Sequence, residues 1–155
     1  MNFKCAAALA AIVLLTGCNK EPEALPIKDF MAKEVQPTTQ IYWDAVRYVT
    51  DETGFHEFVP RTDEDWANVR QAAIDLGALG ERLKQPPYTD GRGADWSQFA
   101  QGLIDVSKLA EQTAIDKDVD KVMEVGGTVY SVCSACHQVY PPAEGESSAQ
   151  SSSAS

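Results

Sequence analysis

Hydrophobic residues recur at steps of three and four positions in four segments of this chain, which predicts four amphipathic helices. The last three stripes are the clearest. They run through Trp66, Val69, Ala73, Leu76, Gly80 and Leu83, through Trp96, Phe99, Leu103, Val106, Ala110 and Thr113, and through Val119, Val122, Gly126, Val129, Cys133, Cys136 and Tyr140. Thr62 and Asp118 are the expected N-caps of the second and fourth helices. No strand-like alternation of useful length is evident, so we predict an all-α fold.

The first stripe is less regular than the others. It runs through Met31, Val35, Thr38, Tyr42, Ala45 and Val49, and Pro37 interrupts it. Because proline removes an intrahelical hydrogen bond and clashes with the preceding turn, we expect a kink near residues 33–37 or two short helices. Connections of about ten residues or fewer favour an antiparallel up-down-up-down four-helix bundle.

The two ends of the chain differ in composition from the helical part. Residues 1–17 combine Lys4 with an apolar run, Ala6–Leu15, that is too short to span a bilayer and is typical of a signal peptide. The run ends in Leu15-Thr16-Gly17-Cys18, which resembles the lipobox of bacterial lipoproteins and implies a lipid on Cys18. Ordinary signal cleavage, with Cys18 as a free thiol, is the alternative. Residues 18–26 are expected to be a polar tether, residues 27–142 one domain, and residues 143–155 a disordered Ser/Ala-rich tail.

The fourth stripe carries the most specific chemistry. Cys133-Ser134-Ala135-Cys136-His137 has the C-x-x-C-H spacing of covalent haem attachment. On a helix, positions i and i+3 share a face, so both thiols can add to the two vinyl groups of one porphyrin. His137 then serves as the proximal iron ligand. The pattern therefore predicts one covalent haem c.

Other uses of the cysteine pair remain open alternatives. A thiol redox pair is expected in a βαβ context, which this chain lacks. A zinc site needs four ligands, and beyond the pair and His137 only His56 remains to help.

Because consecutive helices of such a bundle run in opposite directions, helix one starts and helix four ends at the same end of the bundle, or pole. His137, in the last turn of helix four, lies at this pole. Of the methionines outside the signal peptide, Met123 lies about 21 Å along the helix from His137, whereas Met31 lies at the level of the haem. Met31 is therefore the candidate sixth iron ligand; if it is only a core residue, the iron is five-coordinate and open to a small gas. The predicted pocket residues are Val35, Leu83, Tyr88, Arg92, Trp96, Phe99 and Tyr140.

These features resemble the class II c-type cytochromes, the cytochrome c prime family, over roughly residues 27–140. Cys133–Tyr140 is similar to the family's C-x-x-C-H-x-x-(Phe/Tyr) ending, and Trp96 with Phe99 resembles its Trp-x-x-Phe. Met31 falls where low-spin members carry a methionine ligand. The chain departs from the family in Pro141, where a basic residue is usual, in lacking an Arg-Gln pair early in helix one, and in its lipid anchor. Arg92 is the candidate partner of a haem propionate.

Charge narrows the range of partners. Without Lys4 of the signal peptide, the chain has 12 Lys and Arg against 23 Asp and Glu, a formal charge of −11. This charge argues against binding to nucleic acid or anionic lipid and favours a redox partner with a basic patch. We therefore expect a monohaem electron carrier, not an enzyme, tethered to the periplasmic face of a bacterial membrane. A binder of NO or CO is the alternative, and the family resemblance makes a homodimer possible.

Overall fold

A computed structural model of the protein describes residues 24–142. The predicted signal peptide, the lipidation site at Cys18 and the Ser/Ala-rich tail lie outside the described residues. The described chain is mostly helical, with four helices and one two-stranded hairpin. Helix α1 consists of an α-helical turn Ile27–Phe30, a π-helical turn Met31–Val35 and an α-helical segment Gln36–Asp44. Strands β1 (Arg47–Asp51) and β2 (Gly54–Phe58) precede helices α2 (Asp63–Leu83), α3 (Ala94–Asp116) and α4 (Val119–Val139).

Helices α2 and α4 begin where the sequence predicts. The Thr62 side chain accepts a hydrogen bond from the Asp65 backbone N–H at 3.1 Å, and the Asp65 carboxylate accepts one from the Thr62 N–H at 2.9 Å. This reciprocal pair is a capping box, which satisfies two backbone donors that a helix N-terminus would otherwise leave unpaired. Asp118 caps α4 with a single side-chain hydrogen bond, which it accepts from the Lys121 N–H at 3.0 Å.

The irregularity expected near Pro37 is a single wide turn inside one continuous helix. The backbone N–H of Gln36 bonds to the carbonyl of Met31, five residues earlier. In a regular α-helix the Pro37 ring would clash with the carbonyl of Lys33, at a cost of ~3 kcal/mol. The π turn widens the backbone at this point and avoids the clash.

The wide turn also corrects the predicted stripe of α1. The fully buried positions of this helix and its end are Phe30, Val35, Thr39, Tyr42 and Val46. Their first step is five residues, one π turn, and the remaining steps are four, three and four. Val35 and Tyr42 of the expected stripe are buried, and Phe30 is buried in place of Met31 because of the π turn. Thr38 and Ala45 were wrong, because the steps of three and four that follow Val35 come in the opposite order.

The prediction that the chain has no strands was also wrong. Strands β1 and β2 pair antiparallel, with Arg47 opposite Phe58 and Asp51 opposite Gly54. Val49, placed by the sequence on the first helical stripe, lies in β1. Gly54 adopts a φ of 127°, which favours glycine at the end of the two-residue loop. The hairpin lies after α1, at the end of the molecule away from His137.

Two contacts show that α2 and α3 run in opposite directions. Arg70 of α2 pairs with Glu111 of α3 at 2.8 Å, and Lys84 just after α2 bonds to Gln101 of α3 at 2.8 Å. Helix α3 ends at Lys117, whose left-handed φ of 53° reverses the chain into α4. Helix α1 contacts α4 through the Trp43 indole N–H, which donates to the Gly126 carbonyl at 3.0 Å. Within residues 24–142, no helix has the length and apolarity that a membrane span requires.

The buried side chains form two clusters along the helices. The pole cluster lies at the end that carries the cysteines and contains Phe30, Val35, Leu76, Leu79, Leu83, Tyr88, Trp96, Ala100, Leu103, Val106 and Val129. The distal cluster lies towards the hairpin and contains Tyr42, Val46, Trp66, Val69, Ala72, Ala73, Ala110, Ala114 and Val122. Leu25 packs against the pole cluster, so ordered packing begins before α1.

Candidate functional site

A cavity of about 740 Å³ opens beside the pole cluster. Cofactor sites in proteins usually enclose ~300–1,000 Å³. Residues of α1, α3 and α4, with the end of α2, line this cavity. Eight residues predicted for the haem site are among them: Met31, Val35, Leu83, Trp96, Phe99, Cys133, Cys136 and His137.

The last two turns of α4 bring the C-x-x-C-H side chains to one wall of the cavity. Cys133 and Cys136 are both free and partly buried, and each packs against the pole cluster. His137 also lines the cavity, and as a residue it is exposed to solvent. Two sulfur atoms and one imidazole therefore meet the same space from one helix, as covalent haem attachment requires.

Met31 reaches the cavity from α1. Its side chain is partly buried and contacts the pole cluster. Met123, in contrast, is 43% exposed on α4 and does not line this cavity. His56 lies on the hairpin, where its Nε2 is 2.8 Å from the Thr53 hydroxyl and 3.1 Å from the Asp51 carboxylate. Among the described methionines and histidines, Met31 and His137 alone line the cavity.

Three of the predicted pocket residues lie behind the cavity wall and do not line it. Tyr88 is buried against the ring of Phe30, with centroids 4.6 Å apart. The Arg92 guanidinium donates to the Tyr88 carbonyl at 2.7 Å and lies 4.3 Å from the ring centroid of Trp96. Arg92 therefore packs against Trp96 and does not line the cavity. Its role beside a haem propionate stays a prediction.

Tyr140 is the third residue behind the wall. Its hydroxyl donates to the Asp95 carboxylate at 2.7 Å and accepts from the Gly93 N–H at 3.3 Å. Its ring and the Trp96 ring are nearly perpendicular, with their centroids 5.0 Å apart. Tyr140 thus connects the end of α4 to the start of α3 and fixes the orientation of the Trp96 side chain.

Sequence reasoning missed several lining residues. They are Gln36, Thr39, Gln40, Trp43, Ala100, Leu103, Tyr130, Val132, Ser134 and Gln138. The first four recur on α1 at helical spacing, but two of them are glutamines, so a search for apolar stripes passed over them. Trp43 could have been chosen as a lining residue because a tryptophan is unusual in a helical segment so rich in polar residues.

The glycine pair of α4 plays two different structural roles. A Cβ atom at Gly126 would lie 3.4 Å from the Trp43 ring, which is an ordinary van der Waals distance. A Cβ atom at Gly127 would meet no atom within 4 Å. Only the first glycine of the pair therefore lies against a neighbouring helix.

Burial controls the protonation of the two thiols. Burial raises the pKa of Cys133. The pKa of Cys136 is raised to about 11, chiefly by burial, with smaller contributions from Cys133 and Asp95 and an opposing one from Arg92. Reactive redox cysteines usually have lowered pKa values, so this environment does not favour a thiol redox pair. Within residues 24–142 no group of three or more His, Cys, Asp and Glu side chains could hold a metal ion.

No protein-family model, curated protein or solved structure matches this chain.

Proposed function

We propose that this protein is a monohaem c-type cytochrome of the class II type that carries electrons. Cys133 and Cys136 would hold the haem through thioether bonds, His137 would be its proximal iron ligand, and Met31 would be the ligand on the opposite side. In this proposal the four helices form the up-down-up-down bundle of the cytochrome c prime family.

One observation carries the proposal. A single cavity is lined by both cysteines and His137 from α4 and by Met31 from α1. These side chains are about one hundred residues apart in sequence, and C-x-x-C-H alone does not require a methionine opposite it. The lining otherwise includes apolar and aromatic walls from Val35, Leu83, Trp96, Phe99 and Leu103, which suit a porphyrin.

The donor set indicates the chemistry. Each thiol would add its S–H across one vinyl group, forming a carbon–sulfur bond without oxidant or reductant. Haem supplies a one-electron Fe(III)/Fe(II) couple, and thioether ligation opposite histidine raises its potential. The protein's own part is to hold the two axial donors, to exclude water with Trp96 and Phe99, and to keep the cofactor attached.

A five-coordinate binder of NO or CO is the second candidate. Contact between Met31 and the pole cluster supports it, because a methionine that fills a core gap need not bind iron. The two candidates make opposite predictions for the spin state of the ferric protein.

The setting of the electron carrier follows from the rest of the sequence. A lipid on Cys18 would anchor it to the periplasmic face of a bacterial membrane. The excess of acidic residues suits a redox partner with a basic patch, and such association weakens as salt rises. A homodimer is compatible with this proposal.

The test uses the full chain produced in a bacterium that attaches haem c. We expect haem to stay with the polypeptide after denaturation and the ferric protein to have a low-spin spectrum. Replacing Met31 with Ala should convert that spectrum to high spin, because the sixth ligand is lost. Met123→Ala is the matched control and should leave the spectrum unchanged.

Two results would count against parts of the proposal. A polypeptide that carries no porphyrin would exclude the cytochrome itself. A high-spin parent that Met31→Ala does not alter would exclude His/Met ligation and support the gas-binding candidate.

A further inference from the structure

The π turn of α1 bears directly on where Met31 points. In a regular α-helix, Met31 would lie one turn before Val35, and Ala32 would lie one turn before Gln36. The turn observed here contains one more residue, and the Gln36 N–H reaches the Met31 carbonyl. Phe30 therefore lies one turn before Val35, and Met31 one turn before Gln36.

Burial along α1 agrees with this shift of one residue. Phe30 is fully buried at 0% exposure, its ring lies 4.6 Å from Tyr88, and the Arg82 guanidinium lies 4.5 Å from its centroid. Met31 lines the cavity together with Gln36, whereas Ala32 is exposed. If the same residues formed a regular α-helical turn, Met31 would take the core place of Phe30, and the methyl group of Ala32 would take the cavity place.

Pro37 is the residue that disfavours the regular alternative. A proline ring clashes with the carbonyl four residues earlier in an α-helix, and here that carbonyl belongs to Lys33. Single π turns within α-helices occur frequently at functional sites. Phe30 packs just before the wide turn, and the Glu34–Arg82 ion pair forms within it, so both contacts hold this part of the helix.

We propose that Pro37 is a positioning residue for the sixth iron ligand: it enforces the π turn that directs Met31 into the cavity. The inference rests on the proposed function, because it assumes that Met31 binds iron. It explains why Met31 faces the cavity, which the C-x-x-C-H motif alone does not explain.

The experiment uses the full-length haem protein and two variants. Pro37→Ala allows the regular helix, so the low-spin fraction of the ferric spectrum should fall. The second variant combines Pro37→Ala with deletion of Ala32. Deletion removes the extra residue, so a regular helix now places Phe30 before Val35 and Met31 before Gln36. The low-spin fraction should return.

The reduction potential gives a second readout. Methionine and histidine together on haem iron raise its potential, and a Met31 side chain in the core place of Phe30 cannot bind the iron. The potential should therefore fall in Pro37→Ala and return in the combined variant. Met123→Ala removes a side chain that is 43% exposed and does not line the cavity, so it should keep the parent potential.

The controls separate this inference from the proposed function. Thr38→Ala changes the same helix beside Pro37 and should keep the low-spin spectrum. If Met31→Ala has no effect on the parent spectrum, the His/Met proposal fails, and this inference fails with it. If Met31→Ala removes the low-spin signal but Pro37→Ala leaves both the spectrum and the reduction potential unchanged, only the positioning role is overturned. A failure of the combined variant to restore a low-spin signal lost in Pro37→Ala would also overturn it.

Discussion

A buried hydroxyl pair between α1 and α3 has an asymmetric hydrogen-bond arrangement. The Thr113 hydroxyl has one proton, which it donates to the Ala110 carbonyl at 2.8 Å. The Tyr42 hydroxyl lies 2.9 Å from the same Thr113 oxygen, so Tyr42 must be the donor in that bond. Both side chains are buried, with 1% and 7% of their surfaces exposed. Loss of either partner therefore has a different consequence.

The asymmetry gives a prediction for unfolding by urea. Tyr42→Phe removes a donor but leaves Thr113 bonded to Ala110, so the free energy of unfolding should fall by ~1 kcal/mol. Thr113→Val leaves the Tyr42 hydroxyl buried without its acceptor and should cost ~1–3 kcal/mol. The double variant should be less destabilised than the sum of the two single changes. Equal effects that simply add would contradict the assigned donor.

Tyr42 also has a consequence for stability in alkali. Burial raises the pKa of Tyr42, partly opposed by the bond to Thr113. Because the folded state favours the protonated phenol, its contribution is fully present below the unfolded pKa of ~10 and is lost as pH rises through the folded value. The stability of Tyr42→Phe should therefore fall less steeply above about pH 10 than that of the parent, which the same urea titrations would measure.

At the scale of elements, regular periodicity decided what could be predicted. Helices α2 and α4 combine steps of three and four with side-chain caps at Thr62 and Asp118, so their starts were readable in the sequence. The true stripe of α1 includes one step of five, and a search for constant helical spacing cannot follow it. The eight cavity residues could be predicted because His137 near the end of the last helix indicates which end of the molecule holds the site. Gln36 and Gln40 also line the cavity, but polar residues do not appear in a search for apolar stripes.

The hairpin was missed for a different physical reason. Both strands are exposed almost throughout, so they show no alternation between a buried and a solvated face. The available signal was compositional. Tyr48-Val49-Thr50 and Phe55 flank a short turn that ends in Gly54, and such runs of β-branched and aromatic residues favour strands.

Two helical glycines test the packing between elements. A Cβ atom at Gly80 of α2 would lie 2.7 Å from Ile104 Cγ1 and 3.3 Å from the Ala100 carbonyl oxygen of α3. Gly80→Ala should therefore destabilise the protein by ~1–3 kcal/mol despite the better helix propensity of alanine. Gly127→Ala meets open space and should stabilise it by up to ~1 kcal/mol.

Urea unfolding of the two variants measures this contrast. Alanine should lower the free energy of unfolding at Gly80 and raise it at Gly127 only if the contact of Gly80 with α3 outweighs the gain in helix propensity. Stabilisation by Gly80→Ala would show that α2 and α3 can separate without cost, in disagreement with their close approach.

At the scale of the whole molecule, the two core clusters depend on the cavity to different degrees. Val35, Leu83, Trp96, Ala100 and Leu103 belong to the pole cluster and also line the cavity. The buried members of the distal cluster do not line it, and the Tyr42–Thr113 hydrogen bond reinforces that cluster. Loss of a group that fills the cavity should therefore loosen one end of the molecule more than the other.

Hydrogen exchange on a haem-free chain tests this dependence. If the parent carries the proposed haem, the Leu103 and Val132 amides of Cys133→Ser/Cys136→Ser should lose at least about tenfold in protection relative to it, which is ~1.4 kcal/mol of local opening free energy. The Ala110 and Val122 amides should change far less, since their neighbours keep their contacts. Leu103 shares α3 with Ala110, and Val132 shares α4 with Val122, so a general loss of helicity would affect both amides of each helix. An equal loss of protection at Val122 and Val132 would mean that the helices respond as single units, and the cavity would then support the whole core instead of one pole.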